Sequence, residues 1–288
     1  MVTYAVVGAA GWTGRTCVEV LLHQGYNVRA VVRDPDRARV LYRTQPTLSG
    51  LSIRDVPVPE RLQIVRGDVR DPESLRAALQ GCAGVIYAAT SSGWTQLSAF
   101  WRTMRTTSPR EVDFQGVQNV ADMARQLGGV ERLVLVSACY VTPTNRWQPA
   151  RLFCNTLLGW GLMDWKWKGE EALRHSGLPY TIVRPDFITA RGPRQRQLTV
   201  QQGDASFDRF HSTCVADLAA VCVAALTDPA AANVTLELFS DAPPRGGKAV
   251  PLEEQVQGVF RGLAPDGAAA AGARQGQGGA GGGGGLAG

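Results

Sequence analysis

Residues 3–14 read TYAVVGAAGWTG, and this stretch decides the fold. The apolar run over 3–8 has the length of a buried strand. It breaks into glycines spaced G-x-x-G-x-x-G, at Gly8, Gly11 and Gly14. Residues 12–24 then carry helical spacing, with Cys17, Val18, Leu21 and Leu22 on one face. In such a strand–turn–helix unit the first glycine allows the tight turn. The second lets the backbone approach a pyrophosphate, and the third lets the helix pack on the strand. The phosphates would lie at the helix N-terminus, where unpaired N–H groups and the helix dipole attract an anion. Gly8, Ala10, Gly11, Trp12, Thr13 and Gly14 are therefore the expected contact set for a dinucleotide. The plain alternative is a glycine-rich turn with no ligand.

The next strand, 27–32, runs into Arg33-Asp34-Pro35. A cofactor with a free ribose 2′-hydroxyl usually meets an acidic side chain here, whereas a guanidinium suits a 2′-phosphate. Arg33 thus points to NADP rather than NAD, and Arg37 and Arg39 could add to its field. The alternative is a solvated arginine beside Asp34 and Asp36.

Strand and helix patterns go on alternating outward from this unit. Strands are expected at 62–68, 84–90, 132–138, 179–185 and 233–239. Helices are expected at 35–43, 71–79, 110–127, 161–176 and 214–227, with Asp71 as an N-cap. Residues 44–60 read as an irregular insertion. The repeated β-α-β order predicts a Rossmann-type α/β fold, a doubly wound parallel sheet with a small C-terminal substrate lobe, over 1–240. A C-terminal extension open to a helical reading follows over 241–263. Residues 264–288 are nearly all Gly, Ala and Gln and read as a disordered tail. Asp68, Val69, Ala88, Ala89 and Thr90 follow strands at their carboxyl ends, where a cofactor in an open α/β sheet passes.

Composition narrows the function classes. The 288 residues are 44% hydrophobic and 19% charged, with a net charge of +5 and no long run of like charge. That argues against a nucleic-acid partner. No apolar stretch has the length of a transmembrane segment, and no signal or transit peptide is read at the N-terminus. The six cysteines form no C-x-x-C pair, so no metal site is expected; most read as small buried hydrophobes.

The ordered set G-x-x-G-x-x-G, VVRD, GDV-x-DPESL, VIYAAT, VDFQGVQNV, LVLVSA, K-x-x-G-E and SGLPYTIVRP spans about Val2 to Ser240. It resembles the atypical short-chain dehydrogenase/reductases, of the NmrA-like and plastid or cyanobacterial NAD(P)-binding type. The resemblance implies NADP bound across the strand ends, with Pro185 at the cofactor, and a chloroplast location, with cytoplasm as the alternative. It also implies a Y-x-x-x-K pair, in which the lysine binds the nicotinamide ribose and the tyrosine delivers a proton. Lys166 matches the lysine, but Leu162 stands where the tyrosine belongs, and leucine moves no proton.

Ser137, near the family's serine or threonine, is the candidate that joins Lys166 as catalytic; Tyr140 and Asp186 are other candidate acids. Each also has a structural reading: a turn, a half-buried packing residue and a local cap. His175 reads as a dipole partner at a helix end. The arginines between 184 and 196 suit an anionic small-molecule substrate, and Trp94, Trp101 and Trp147 suit an aromatic one. Two functions stay open: an NADP-dependent oxidoreductase with a non-standard proton donor, or a non-catalytic NADP-binding sensor, scaffold or assembly factor.

Overall fold

Alternate residues of β1 (Thr3–Val7) face two separate cores. Tyr4 and Val6 pack into one, Ala5 and Val7 into the other, the period-two pattern of a strand covered on both faces. In the computed structural model, which describes residues 2–44, 58–91, 107–156, 161–190, 197–204, 211–241 and 250–267, this strand lies inside an eight-stranded sheet.

The strands are β2 (Asn27–Val32), β3 (Leu62–Arg66), β4 (Gly84–Tyr87), β5 (Arg132–Val136) and β6 (Tyr180–Pro185), then β7 (Phe187–Thr189), β8 (Gln197–Gln201), β9 (Ser212–Cys214) and β10 (Val234–Asp241). The sheet order is β3-β2-β1-β4-β5-β6-β10-β8. Strand order reverses between β1 and β4, with Val7 beside Val31 on one side and Tyr87 on the other. That crevice is where a doubly wound sheet binds its ligand. All neighbours are parallel except β8, which runs antiparallel to β10 at the edge. The small pair β7–β9 stands apart. None of these three strands was expected from the sequence.

The described helices are α1 (Trp12–His23), α2 (Pro35–Thr44), α3 (Val58–Arg61), α4 (Pro72–Leu79), α5 (Gly116–Leu127), α6 (Pro149–Thr156), α7 (Leu162–Arg174), α8 (Val215–Ala225) and α9 (Leu252–Gly258). α1 and α8 cover one face of the sheet through Cys17, Val18, Leu21, Leu22, Leu218 and Cys222. α4 and α5 cover the other through Leu75, Leu79, Val117 and Val120. Fully burying a leucine such as Leu21 or Leu75 contributes about 1.5–3 kcal/mol.

Several expectations need correction. The helix over 110–127 is not uniform: Arg110–Gln115 is π-helical and only then does α5 begin. The Tyr87 hydroxyl donates to the Val112 carbonyl at 2.6 Å, so that carbonyl is drawn toward a side chain instead of serving the α ladder alone. Asp71 stands at the N-cap of α4 but makes no side-chain cap bond; Ser74 Oγ takes the Asp68 N–H instead. Five of the six cysteines are buried, as expected for most of them, and Cys154 is half-buried.

Residues 264–266 do not belong to the expected tail. Asp266 accepts from Arg174 Nε (3.1 Å), Tyr180 Oη (3.0 Å) and Thr235, and its N–H reaches the Asn233 carbonyl. One carboxylate among several donors outweighs the low apolar content of the segment. Residues 45–57, most of 91–109 with Trp94 and Trp101, the arginines at 191, 194 and 196, and 268–288 lie outside the described residues.

Candidate functional site

Gly8, Gly11 and Gly14 make different demands. A Cβ on Gly8 would lie 2.7 Å from the Ala89 nitrogen, and one on Gly14 would lie 2.3 Å from the Gly8 carbonyl oxygen. The protein's own packing therefore requires both. A Cβ on Gly11 would meet only the Gly8 carbonyl, at 3.3 Å, and its backbone is ordinary extended chain (φ −78°, ψ 168°). Glycine at 11 instead leaves the mouth of the turn bare. α1 starts there with no side-chain cap on Gly11 and no acidic residue in its first turn, so its N-terminal amides face outward. Ala10 and Trp12 are exposed and Thr13 half-buried around it. Tyr42 Oη holds the Ala9 carbonyl at 2.8 Å, tying α2 to the turn.

Arg33 is exposed at the end of β2. The Asp34 carboxylate accepts the Arg37 backbone N–H at 3.0 Å, so it is engaged by its own helix start. Asp68 is gripped by Arg70 at 2.6 Å, and these hydrogen bonds hold its carboxyl below the usual range; the Arg33 charge adds to this. The Val69 side chain is buried and its carbonyl accepts from Asn119 Nδ2 at 2.8 Å. Ala88 and Ala89 are half-buried beyond β4, with the Ala88 N–H on the Val7 carbonyl.

A cleft opens between β4, β5 and α7, lined by Tyr87, Ala89, Asp113, Val117, Leu135, Val136, Ser137 and Lys166. It unites three residues singled out from sequence: Ala89, Ser137 and Lys166. Ser137 is 6% exposed, and its Oγ has no hydrogen-bond partner among the described residues. The Lys166 ammonium lies 2.9 Å from Asp113 Oδ1. Lys168 instead sits 4.1 Å above the Trp165 ring, so Lys166 alone of the two serves the cleft. Asp113 also accepts from Thr90 Oγ1 (2.9 Å) and from the Ser91 N–H and hydroxyl (3.1 and 2.7 Å). α7 comes this close because of Gly169: a Cβ there would fall 2.1 Å from the Asp113 carbonyl oxygen.

Asp113 and Tyr87 went unnoticed in the sequence. The available signal was a carboxylate on the apolar face of a helix, one turn before Val117. Pro185 is buried at the end of β6, and its carbonyl accepts the Cys139 N–H. Tyr140 and Asp186 do not line the cleft. They face each other, Oη to carboxylate at 3.5 Å, and Asp186 also accepts the His211 N–H. Burial raises the pKa of both, and the Asp186 charge raises that of the tyrosine further. Leu162 is buried at the first position of α7, behind a left-handed Gly161, and is not among the residues lining the cleft.

Trp165 and Trp167 diverge as their spacing requires: one stacks on Phe114, the other lies between Arg174 and Arg184. His175 caps α7, with Nδ1 on the Glu171 carbonyl. The Cys154 thiol is pushed up to about 11 by burial and by the Asp186 charge, against the opposing Lys166 charge.

No helix among the described residues is long and apolar enough to cross a membrane. Among the same residues no group of three or more His, Cys, Asp or Glu could hold a metal ion.

Known proteins match this geometry. The family described as NAD(P)H-binding matches residues 8–229. The chain is 35% identical over 182 residues to the protein TIC 62, chloroplastic, of Pisum sativum, a match covering 62% of this chain and 32% of that protein. It is 32% identical over 181 residues to the protein of the same name from Oryza sativa subsp. japonica, covering 62% of this chain and 34% of that one. The chain thus spans only about a third of the length of these relatives. The solved structure of an oxidoreductase from Lactococcus lactis has a TM-score of 0.64 at 16% identity, covering 90% of this chain and 96% of that one, a likeness of fold. With its glycine turn, its switch-point crevice and a family match across most of its length, the chain belongs to the NAD(P)H-binding family, among the atypical, NmrA-like short-chain dehydrogenase/reductases.

Proposed function

We propose that this protein is an NADP-dependent oxidoreductase of small molecules in which Ser137 and Lys166 replace the usual tyrosine–lysine pair. The observation that carries this reading is the Ser137 hydroxyl, buried without a partner among the described residues on the cleft that also holds Lys166. A buried, unpaired hydroxyl costs about 1–3 kcal/mol, and a bound substrate oxygen would relieve that cost. The fit to a dinucleotide rests on Gly11, the one glycine of the turn that the protein's own packing does not demand. The α1 amides would hold the pyrophosphate and Arg33 a 2′-phosphate. Ala88 and Ala89 would let the cofactor pass close to the backbone, and Asp68 and Val69 would border the adenine through the chain rather than through the committed Asp68 carboxylate. A nicotinamide dinucleotide, when bound, supplies or accepts hydride. Lys166 would orient the ribose, and Ser137 would hydrogen-bond the reacting oxygen and relay to it a proton replaced from solvent, so that its own hydroxyl is regenerated.

The exposed aromatic side chains Trp147, Phe153 and Phe187 follow strands β5 and β6 at their carboxyl ends, which favours an aromatic over an anionic substrate. The chloroplastic relatives support a chloroplast location, testable by imaging the fluorescently tagged full-length protein.

Leu162 at the tyrosine position favours a second reading, a non-catalytic NADP-binding protein. One experiment separates the two: NADPH oxidation against a panel of carbonyls and quinones, with NADPH affinity measured in parallel. Turnover that falls in Ser137→Ala supports the oxidoreductase. Tight NADPH binding with no turnover across the panel supports the binder.

A further inference from the structure

The Asp113 carboxylate has two kinds of partner. On one side Thr90 and Ser91, at the exit of β4, donate to it; on the other stands the Lys166 ammonium. Its side chain is 1% exposed and that of Lys166 11%, so little water screens the pair. It also sits in the π-helical stretch, against a helix whose Gly169 exists at no cost in space only because it lacks a Cβ. An ammonium has three N–H donors. Asp113 takes one, which leaves two for a neighbouring diol such as the ribose 2′- and 3′-hydroxyls.

The charge balance matters as much as the geometry. With Leu162 in place of a phenol, Lys166 has no tyrosinate to serve. An uncompensated ammonium there would stand close to the nicotinamide ring, which is attached directly to the ribose. That ring is a cation in the oxidised cofactor and neutral in the reduced one. We propose that Asp113 is a positioning residue for the nicotinamide end of the cofactor: it holds Lys166 for the ribose and offsets its charge, so that the site accepts the oxidised form beside the reduced. The inference rests on the reading of Lys166 as the ribose-binding group.

The test is the ratio of dissociation constants for NADP⁺ and NADPH, measured by calorimetry in the full chain and in two variants. Asp113→Asn keeps an acceptor but removes the charge. Its ratio should rise by about 3–20-fold, the Coulombic range for charges roughly 8–10 Å apart at partial screening. Lys166→Met removes the opposite charge and leaves the carboxylate, so its ratio should fall while overall affinity weakens. A merely structural role for Asp113 would weaken both forms alike, and an unchanged ratio in Asp113→Asn overturns the inference. Should Asp113→Asn not fold, Lys166→Met decides alone: a ratio that stays or rises overturns the inference. Lys166→Met with both affinities intact also overturns it, and shows that the failure lies in the ribose assignment itself.

Discussion

Lys166 Nζ meets Asp113 Oδ1 at 2.9 Å across the contact between α7 and the π-helical turn before α5. The lysine comes from the K-x-x-G-E motif, and its partner from a helix packed on the far side of the cleft. The glycine of the same motif makes the approach possible, since α7 passes the Asp113 backbone where no Cβ fits.

That relationship predicts the effect of Gly169→Ala. The new Cβ would have to move 2.1 Å contact partners apart, and both are backbone or helix atoms that yield poorly. Overpacking of this kind costs about 1–3 kcal/mol. Urea unfolding should show the loss, and NADPH affinity should drop with it as Lys166 is carried away from the cleft.

The glycines of the turn should separate by function. Gly14→Ala collides with the Gly8 carbonyl and should lower the unfolding midpoint. Gly11→Val, in extended backbone where the Cβ meets only the Gly8 carbonyl at 3.3 Å, should leave the fold intact and abolish dinucleotide binding. A folded Gly11→Val protein with unaltered affinity would remove the pyrophosphate assignment.

Arg33→Asp should reverse cofactor choice. Loss of a charge-assisted hydrogen bond costs about 1.5–3 kcal/mol of NADPH binding, while an acidic side chain gains a ribose hydroxyl of NADH. Calorimetric titration of both cofactors reads the ratio directly. A wild-type protein that prefers NADH would show that Arg33 is not the selector.

Ser137→Ala should uncouple activity from stability. Its Oγ has no partner among the described residues, so removing it should leave the melting temperature unchanged or raise it. Turnover should fall by about 10²-fold or more, in the range of general acid catalysis. A variant that loses stability and keeps activity would make Ser137 a structural residue.

Glu237 predicts a pH dependence of stability. Burial raises its pKa to about 7, although Arg184 beside it, 3.1 Å away, pulls the other way. The folded state therefore binds this proton more tightly than the unfolded state, where a glutamate titrates near 4.3. The stability it adds is full below that value and is lost as pH rises through about 7. Glu237→Gln should lose less stability than wild type between pH 5 and pH 8, as followed by thermal unfolding. Equal slopes would mean that Arg184 keeps Glu237 ionised throughout.

The glycine turn and the β-α-β order were legible in the sequence because each depends on neighbours close in the chain; Arg33 was singled out by its place after the second strand, and Ser137 and Lys166 by the resemblance, as candidates. Hydrophobic period and turn chemistry are local, so residues 3–32 alone imply strand, turn, helix and strand. The family spacing then located the lysine and exposed Leu162 in the tyrosine position. What the tertiary structure decided was who meets whom. The partnership of Lys166 with Asp113, the unpaired hydroxyl of Ser137 and the docking of Asp266 on Arg174 all join segments distant in sequence. A pattern of residues fixes which face a side chain occupies. It does not fix the few ångströms between two helices, and those depend on single contacts such as Gly169 against the Asp113 carbonyl and Tyr87 against that of Val112.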